Sequence, residues 1–357
     1  MASITRRPNG RWRARFRDPS GREHAKDFTR KVAAQRYLDD VTTAVGTGRY
    51  VDPALARMTV AEWCERWLDA YSGHRPNTVR QARVHIRRIV DRFGSRRLND
   101  LRPSDVKAWT TDMAAEGLKP STVYSNYRRL AQILSDAAND GLIPRSPCSR
   151  RTSPRQPGQR PFVPTTQQVF ALLDAMPVHL QPAVLLGAFA GLRISEAVAL
   201  TAQDVDFIRG VVTPSRQHAD RPLKSAASAV PIPIPQDLAL ELAAALQRSG
   251  GEHLVTDGVG KATTPWAVRR AVSAAKSTDP TIPSELRYHD LRHYFASLLI
   301  GHGLDIKVVQ TRLRHASVTT TLNTYGHLWP DADESARAAV GQVLATRADN
   351  LRTSRVS

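Results

Sequence analysis

The sequence is poor in cysteine, in acidic residues and in long apolar runs. Cysteine occurs only twice in 357 residues, at Cys64 and Cys148, and neither stands in a Cys-x-x-Cys or Cys/His spacing. A disulfide framework and a zinc site are therefore not expected, and a reducing cytoplasm is the compartment such usage fits. No segment approaches the roughly 20 apolar residues that cross a bilayer, so no membrane partner is expected. The first residues, MASITRRPNG, lack the apolar stretch of a secretory signal. A Gly-x-x-x-x-Gly-Lys-[Ser/Thr] phosphate loop is missing, and no carboxylate cluster of metal-site type stands out. Neither a cofactor nor a metal is expected. Internal repeats and low-complexity blocks are absent as well.

The shortage of acid is the most informative of these. Asp and Glu number 33 against 51 Lys and Arg, a formal charge of +18 and a pI near 10.7. Such a charge requires polyanionic partners. Arginine predominates among the cations, and its planar fork matches phosphate. No basic segment carries the bulky apolar face of a membrane-surface helix, so double-stranded DNA or another nucleic acid is the implied partner. Apolar residues make up 41% of the chain, enough for true hydrophobic cores in two or three domains.

Residues 1–55 form a small basic module, with twelve Lys/Arg against five Asp/Glu in the first 50 positions. Arg11 to Arg17 alternates basic with apolar, the period of a half-exposed strand. Asp18-Pro19-Ser20-Gly21 predicts a turn, residues 23–28 a partner strand, and residues 31–45 a helix ending at Gly46. Arg13 and Arg15 on the open strand face are candidate DNA contacts; the alternative is a merely solvated face.

Residues 58–143 predict four helices. Thr59 and Glu62 make a capping box. Pro76 opens a second helix with Val79, Ile86, Val90 and Phe93 inward and Arg80, Arg83, Arg87, Arg88 and Arg92 outward. The third begins at Pro103 and Ser104. The fourth runs from Ser121 to about Asn139, with Tyr124, Tyr127, Leu130, Ile133 and Leu134 as its core stripe. Arg83 and Arg87 are candidate DNA contacts, against the alternative of a solvated helix face. Residues 144–164 hold six prolines, five arginines and no acid, which predicts an extended basic linker with Arg151 and Arg155 facing DNA.

Residues 165–357 make the last domain. Val169, Leu172, Leu173 and Met176 have helical spacing, and a helix is expected at 182–190, resuming at 194–200, with short strands at 210–213, near 222–224 and at 229–232. The pattern is helical again from Gln236, apart from a stretch near Leu254. After Trp329, the stripe Ala336, Ala338, Val340, Val343 and Leu344 is expected to pack on a neighbouring copy.

Within this domain stand, in order, Gly191-Leu192-Arg193-Ile194-Ser195-Glu196, Leu223-Lys224-Ser225, His289-Asp290-Leu291-Arg292-His293, Leu313-Arg314-His315 and Asn323-Thr324-Tyr325. The ordered set resembles the tyrosine recombinases, or phage integrases, whose catalytic groups run Arg, Lys, His-x-x-Arg, His, Tyr. The resemblance covers residues 165–330 and extends loosely to the two domains before it, as in lambda-type integrases. It implies a multidomain, mainly α protein: a small β+α N-terminal DNA-binding module, a four-helix core-binding domain and a mixed α/β catalytic domain.

The implied chemistry is phosphodiester transfer without a metal. Charge builds on two non-bridging oxygens, and fixed cations must neutralise it. Arg193 and Arg292 are the candidates. Tyr325 is the implied nucleophile; a phenol with a pKa near 10 is about 0.1% ionised at pH 7, so it needs a base or a strongly polarised phosphate. The resemblance gives His289 as base, His315 as donor to a phosphate oxygen, Lys224 as acid for the leaving 5′ oxygen and Glu196 as orienter of the cations. Lys261 and Lys276 are weaker alternatives to Lys224. Where the family usually has Gly before its second His, this chain has Arg314, a side chain expected to touch DNA or a neighbouring subunit, or to shift His315. The expected assembly is a homotetramer on attachment-type sites, with a DNA-bending host factor and an excisionase as possible partners. The alternatives are a Xer-type resolvase, a topoisomerase IB-like swivel and a non-enzymatic DNA-binding regulator.

Overall fold

The computed structural model describes residues 2–18, 21–47, 57–156, 161–223 and 225–329. The chain forms two compact units, residues 1–158 and 159–357.

The first unit opens with an antiparallel meander of β1 (Ser3–Arg6), β2 (Trp12–Arg17) and β3 (Glu23–Phe28). Alternation along β2 sends Ala14 and Phe16 inward, where they meet Ala34 and Leu38 of α1 (Lys31–Gly46) in a small core. Arg13, Arg15 and Arg17 take the other face, as a period of two requires. Pro19 and Ser20 of the expected turn lie outside the described residues.

Four helices follow: α2 (Val60–Ala70), α3 (Pro76–Phe93), α4 (Pro103–Ala115) and α5 (Pro120–Asn139). The expected capping box is present, with Thr59 N donating to Glu62 Oε2 at 2.8 Å and Glu62 N to Thr59 Oγ1 at 3.3 Å. Trp63, Trp67, Ile86, Ile89, Phe93, Trp109, Leu130, Ile133 and Leu134 share one core. On α5 the stripe is rotated from expectation. Val123 is buried, while Tyr124 is half-buried at the margin, its hydroxyl donating to Gln156 Oε1. A tyrosine at a core edge keeps its hydroxyl in reach of a polar partner.

The expected linker is only partly one. Residues 144–156 form neither helix nor strand, but they are not a free tether. Tyr127 Oη donates to the Ser149 carbonyl at 2.7 Å and meets the buried Thr152 hydroxyl at 3.1 Å. Hydroxyl-bearing residues between the prolines dock the segment on α5, which the proline and arginine content concealed. Arg151 and Arg155 remain exposed.

The second unit holds α6 (Thr166–Ala175), α7 (Gln181–Phe189), the single turn α8 (Ile194–Ala197), then β4 (Val205–Asp206), β5 (Val211–Val212), β6 (Arg216–Gln217), β7 (Arg221–Pro222) and β8 (Ile232–Pro233). These are followed by α9 (Gln236–Ser249), α10 (Pro265–Thr278), α11 (Tyr288–Gly301), α12 (Ile306–Arg312) and α13 (Val318–Tyr325). α7 is apolar all round because it runs among α6, α9 and α11. β4, β5 and β8 pair in one sheet, and β6 with β7 forms a hairpin. Two expectations shift. The helix expected over 194–200 ends at Ala197, and the strand expected at 229–232 begins only at Ile232, because residues 226–229 wind into a 3-10 turn. A second, smaller core joins Phe295, Ala296 and Ile300 of α11 to Val309, Leu313 and Tyr325. The apolar stripe expected after Trp329 lies outside the described residues.

Candidate active site

The chain leaves α7 through Gly191, whose φ of +63° lies in the left-handed region. A Cβ there would stand 2.5 Å from Phe295 Cδ1, so glycine is required twice over, by backbone and by space. This bend delivers Arg193 to the N-cap of α8. The Glu196 carboxylate then folds back, accepting from Arg193 N and from Arg193 Nη1, each at 3.0 Å. Its Oε2 also accepts from Arg314 Nη2 at 2.6 Å. Burial alone would raise the Glu196 pKa; the guanidinium groups of Arg314 and Arg193, with their hydrogen bonds, outweigh it and hold the carboxyl below its ordinary value. Arg193 itself keeps about 29% of its side chain exposed.

α11 carries the next three groups. Its first turn is capped by Asp290, which accepts from Arg287 N at 2.7 Å. Arg292 is only 1% exposed, and its two terminal nitrogens donate to the carbonyls of Gly191 and Leu313. It thus ties together the bend before Arg193 and the turn before His315. Burial, then the nearby charges of Arg193 and Arg314, pull its pKa down to about 9. Two of its five donors are committed; the fork onto phosphate expected from the sequence falls to those remaining.

Tyr325 closes the site at the end of α13, whose N-terminus is capped by the Ser317 hydroxyl accepting from Thr319 N at 3.1 Å. Its ring is 1% exposed, and desolvation pushes the phenol up to about 12, against the opposing pull of Arg292. The phenol oxygen lies 2.7 Å from His293 Nδ1. Burial and the neighbouring His289 and Arg292 bring His293 down to about 4. With the imidazole uncharged, the phenol donates to Nδ1 where Nε2 carries the proton, and accepts from Nδ1–H in the other tautomer. The His315 ring lies parallel to that of Tyr325 with centroids 6.4 Å apart, its Nδ1 3.0 Å from Thr321 Oγ1. Its pKa falls to about 3 through burial and the charges of Arg292 and Arg193.

Five of the residues expected to meet do so: Arg193, Glu196, Arg292, His315 and Tyr325. His289 is correctly on the same helix face, but it is not the histidine at the nucleophile. Its ring meets His293 edge-on at 4.8 Å, and among the described residues it makes no hydrogen bond to Tyr325. Loss of hydration, with Arg292 and Arg193, lowers its pKa. His293 was legible as the residue one turn beyond His289 on α11, at the i+4 position. Lys224 lies outside the described residues; the strand expected near 222–224 is β7, which pairs back with β6 and not with the stretch at 229–232. Of the two alternatives, Lys276 Nζ donates to the Ser284 carbonyl and Lys261 is exposed. Arg314 departs most from expectation. It is 2% exposed and turned inward, its guanidinium committed to Glu196 and to the Ser228 carbonyl.

Among the other candidates, Arg13 forks onto Asp27 at 2.7 and 3.0 Å, which commits its guanidinium within the sheet. Arg15 is exposed, 3.9 Å from Glu23. On α3, Arg88 pairs with Glu116, just past α4, and Arg92 with Asp112 of α4, whereas Arg83 and Arg87 are exposed and make no ion pair among the described residues. No helix among the described residues is long and apolar enough to cross a membrane.

Residues 165–331 match the phage integrase family, and residues 59–114 match its N-terminal SAM-like domain. A putative prophage phiRv2 integrase of Mycobacterium tuberculosis is 27% identical, over 94% of this chain and 93% of that protein. The tyrosine recombinase XerA of Thermococcus kodakarensis is 29% identical, over 73% of this chain and 88% of its own. Among solved structures, the Tn1549 transposon integrase in complex with transposon right end DNA superposes with a TM-score of 0.68 at 22% identity, covering 80% of this chain and 100% of that one. A lambda integrase tetramer bound to a Holliday junction gives 0.61 at 19% identity, covering 92% and 95%. With the ordered Arg, His-x-x-Arg, His and Tyr groups gathered at one site, the chain belongs to the phage integrase family of tyrosine recombinases.

Proposed function

We infer that this protein is a site-specific recombinase, an integrase that cuts and rejoins DNA strands through a covalent bond to Tyr325. The observation that carries this reading is the meeting of Tyr325 with His293, His315 and Arg292 in one buried cluster, to which Glu196 joins Arg193.

In the proposed step the Tyr325 oxygen attacks phosphorus, the bond to the 5′ oxygen breaks, and a 3′-phosphotyrosine forms. The phenol proton passes to an imidazole, and the leaving 5′ oxygen takes a proton from Lys224. Reversal by another strand's 5′-hydroxyl restores the phosphodiester, so the bond energy is retained and no nucleotide is consumed. The balance between base and cations follows from the direction of the shifts. Desolvation raises the phenol and lowers the imidazole beside it, so the two shifts both oppose proton transfer ahead of attack. Deprotonation ahead of attack is thus uphill. Arg193 and Arg292 must polarise the phosphate so that the phenol ionises only as it bonds, and the incoming anion makes the imidazoles more basic. His293 is the proposed first acceptor of the proton, with His289 and His315 directed to the phosphate.

DNA is the proposed partner. Exchange between two duplexes involves four cleavages, so four protomers are proposed to assemble; the lambda integrase tetramer on a Holliday junction supports that number. A DNA-bending host protein and an excisionase are proposed as accessory partners, and the cytoplasm as the compartment. A Xer-type resolvase is the second reading. The match to the prophage integrase spans 94% of this chain and 93% of that protein, where the match to XerA spans 73% of this chain, and this favours the integrase.

The test uses two plasmid-borne sites taken from the DNA flanking the gene. An integrase joins them and leaves a site-free supercoiled plasmid untouched. Relaxation of the site-free plasmid, at equal rate, would instead make it a swivelase.

A further inference from the structure

We propose that Arg314 is a positioning residue that keeps Arg193 free to meet the phosphate; the proposal rests on the recombinase reading above. The backbone at Arg314 has a φ of +54°, a conformation in which a non-glycine residue is strained. A long charged side chain at such a position is accounted for by what its guanidinium reaches. It is wholly buried, and its two terminal nitrogens go to different parts of the site. Nη2 donates to Glu196 Oε2 at 2.6 Å, and Nη1 donates to the Ser228 carbonyl at 2.9 Å. Ser228 belongs to the 3-10 turn that follows Lys224, and Glu196 holds Arg193 through its other oxygen. The carbonyl of Leu313, the preceding residue, accepts from Arg292, and the next residue is His315. One side chain and its two peptide neighbours thus connect the segments bearing Arg193, Lys224, Arg292 and His315.

The charge count gives this arrangement its consequence. Glu196 alone beside Arg193 would cancel the cation that the phosphate needs. With Arg314 satisfying one carboxylate oxygen, the Arg193, Glu196 and Arg314 group keeps a net charge of +1. Arg314 touches no substrate; it supplies the counter-charge for Glu196 from the protein side, leaving the exposed edge of Arg193 to the DNA side. A glycine at this position would relieve the backbone and lose the counter-charge.

The test is single-turnover cleavage of a nicked site at saturating protein, with DNA affinity at fixed salt and thermal midpoint measured alongside. R314G is expected to bind DNA within about twofold of wild type and to cleave at least about tenfold more slowly. Neutralising the carboxylate as well, in R314G/E196Q, is expected to regain most of that loss, a recovery that a merely structural role would not produce. Conservative R314K, which keeps the charge, is expected to cleave within about threefold of wild type. R314G cleaving at the wild-type rate, or R314G/E196Q being slower than R314G, would overturn the proposal. If R314G does not fold, R314M replaces it, and equal cleavage by R314K and R314M overturns the proposal in the same way. Absence of any covalent adduct from wild type would defeat the recombinase reading itself, which separates the two failures.

Discussion

At the residue scale the site is a set of buried cations and neutral imidazoles around one phenol. Its two arginines differ in how they are held, and this yields a contrast. Arg292 satisfies two buried carbonyls, and leaving a buried polar group unpaired costs about 1–3 kcal/mol. Arg292→Lys is therefore expected to destabilise the fold by about 2–4 kcal/mol in urea titrations and to abolish cleavage. Arg193→Lys, at a partly exposed site, should cost under about 1 kcal/mol while also abolishing cleavage. Equal stability losses would contradict the bridging role of Arg292. The chemistry at this scale was legible because identity and order of side chains are written in the chain. The carbonyls that Arg292 meets were not, since Gly191 and Leu313 come together only through the packing of α7, α11 and α12. The His-x-x-Arg motif points to His289 as the base, whereas helix phase puts His293 beside the phenol.

At the scale of the element, α11 carries His289, Arg292 and His293 on a strip that the rest of the site is folded against. His293 and His315 have folded pKa values of about 4 and 3, well below the ordinary 6.5. A depressed imidazole means that the unfolded chain binds more protons between the two values. Stability is thus full above about pH 6.5 and falls as pH drops toward 4. Allowing for the partial exposure of both rings, the loss should be about 1–2 kcal/mol between pH 6.5 and 4.5. The His293→Gln/His315→Gln variant should flatten that slope in pH-dependent melting; an unchanged slope would contradict it. The bend at Gly191 is the other weak point. Gly191→Ala adds a left-handed strain of about 1–2 kcal/mol and a clash with Phe295, and should lower stability by about 2–4 kcal/mol. A calorimetric loss under 1 kcal/mol would show that the bend relaxes freely. Elements with local signals were legible: the Thr59–Glu62 box, the proline-opened α3 and α4 and the alternating β2. Of the two-residue strands, β5 and β7 fall at expected stretches, while β4 and β6 carry no alternating pattern that marks them. α13 forms through its β-branched threonines because Ser317 caps it and Thr321 and Tyr325 bury against the core.

For the whole molecule, the excess of arginine predicts salt-dependent DNA binding, and the structure sorts which arginines are available. Arg83 and Arg87 are exposed on α3 with no acidic partner among the described residues, whereas Arg13 is held by Asp27. Arg83→Ala/Arg87→Ala should weaken binding to specific and random DNA alike and reduce the slope of log affinity against log salt by about 2. Arg13→Ala should change the slope by less than about 0.5. The reverse order would contradict this assignment. The excess of positive charge could be read from composition, but the docking of residues 149–152 on Tyr127 could not. The central claim, that Tyr325 carries the DNA, is met most directly by trapping. A site with sulfur at the bridging 5′ position leaves a thiol that does not reverse the step, and mass spectrometry then locates the modified residue. The account predicts a nucleotide on the peptide containing Tyr325 and no adduct from Tyr325→Phe; an adduct on any other residue, or equal trapping by both proteins, would contradict it.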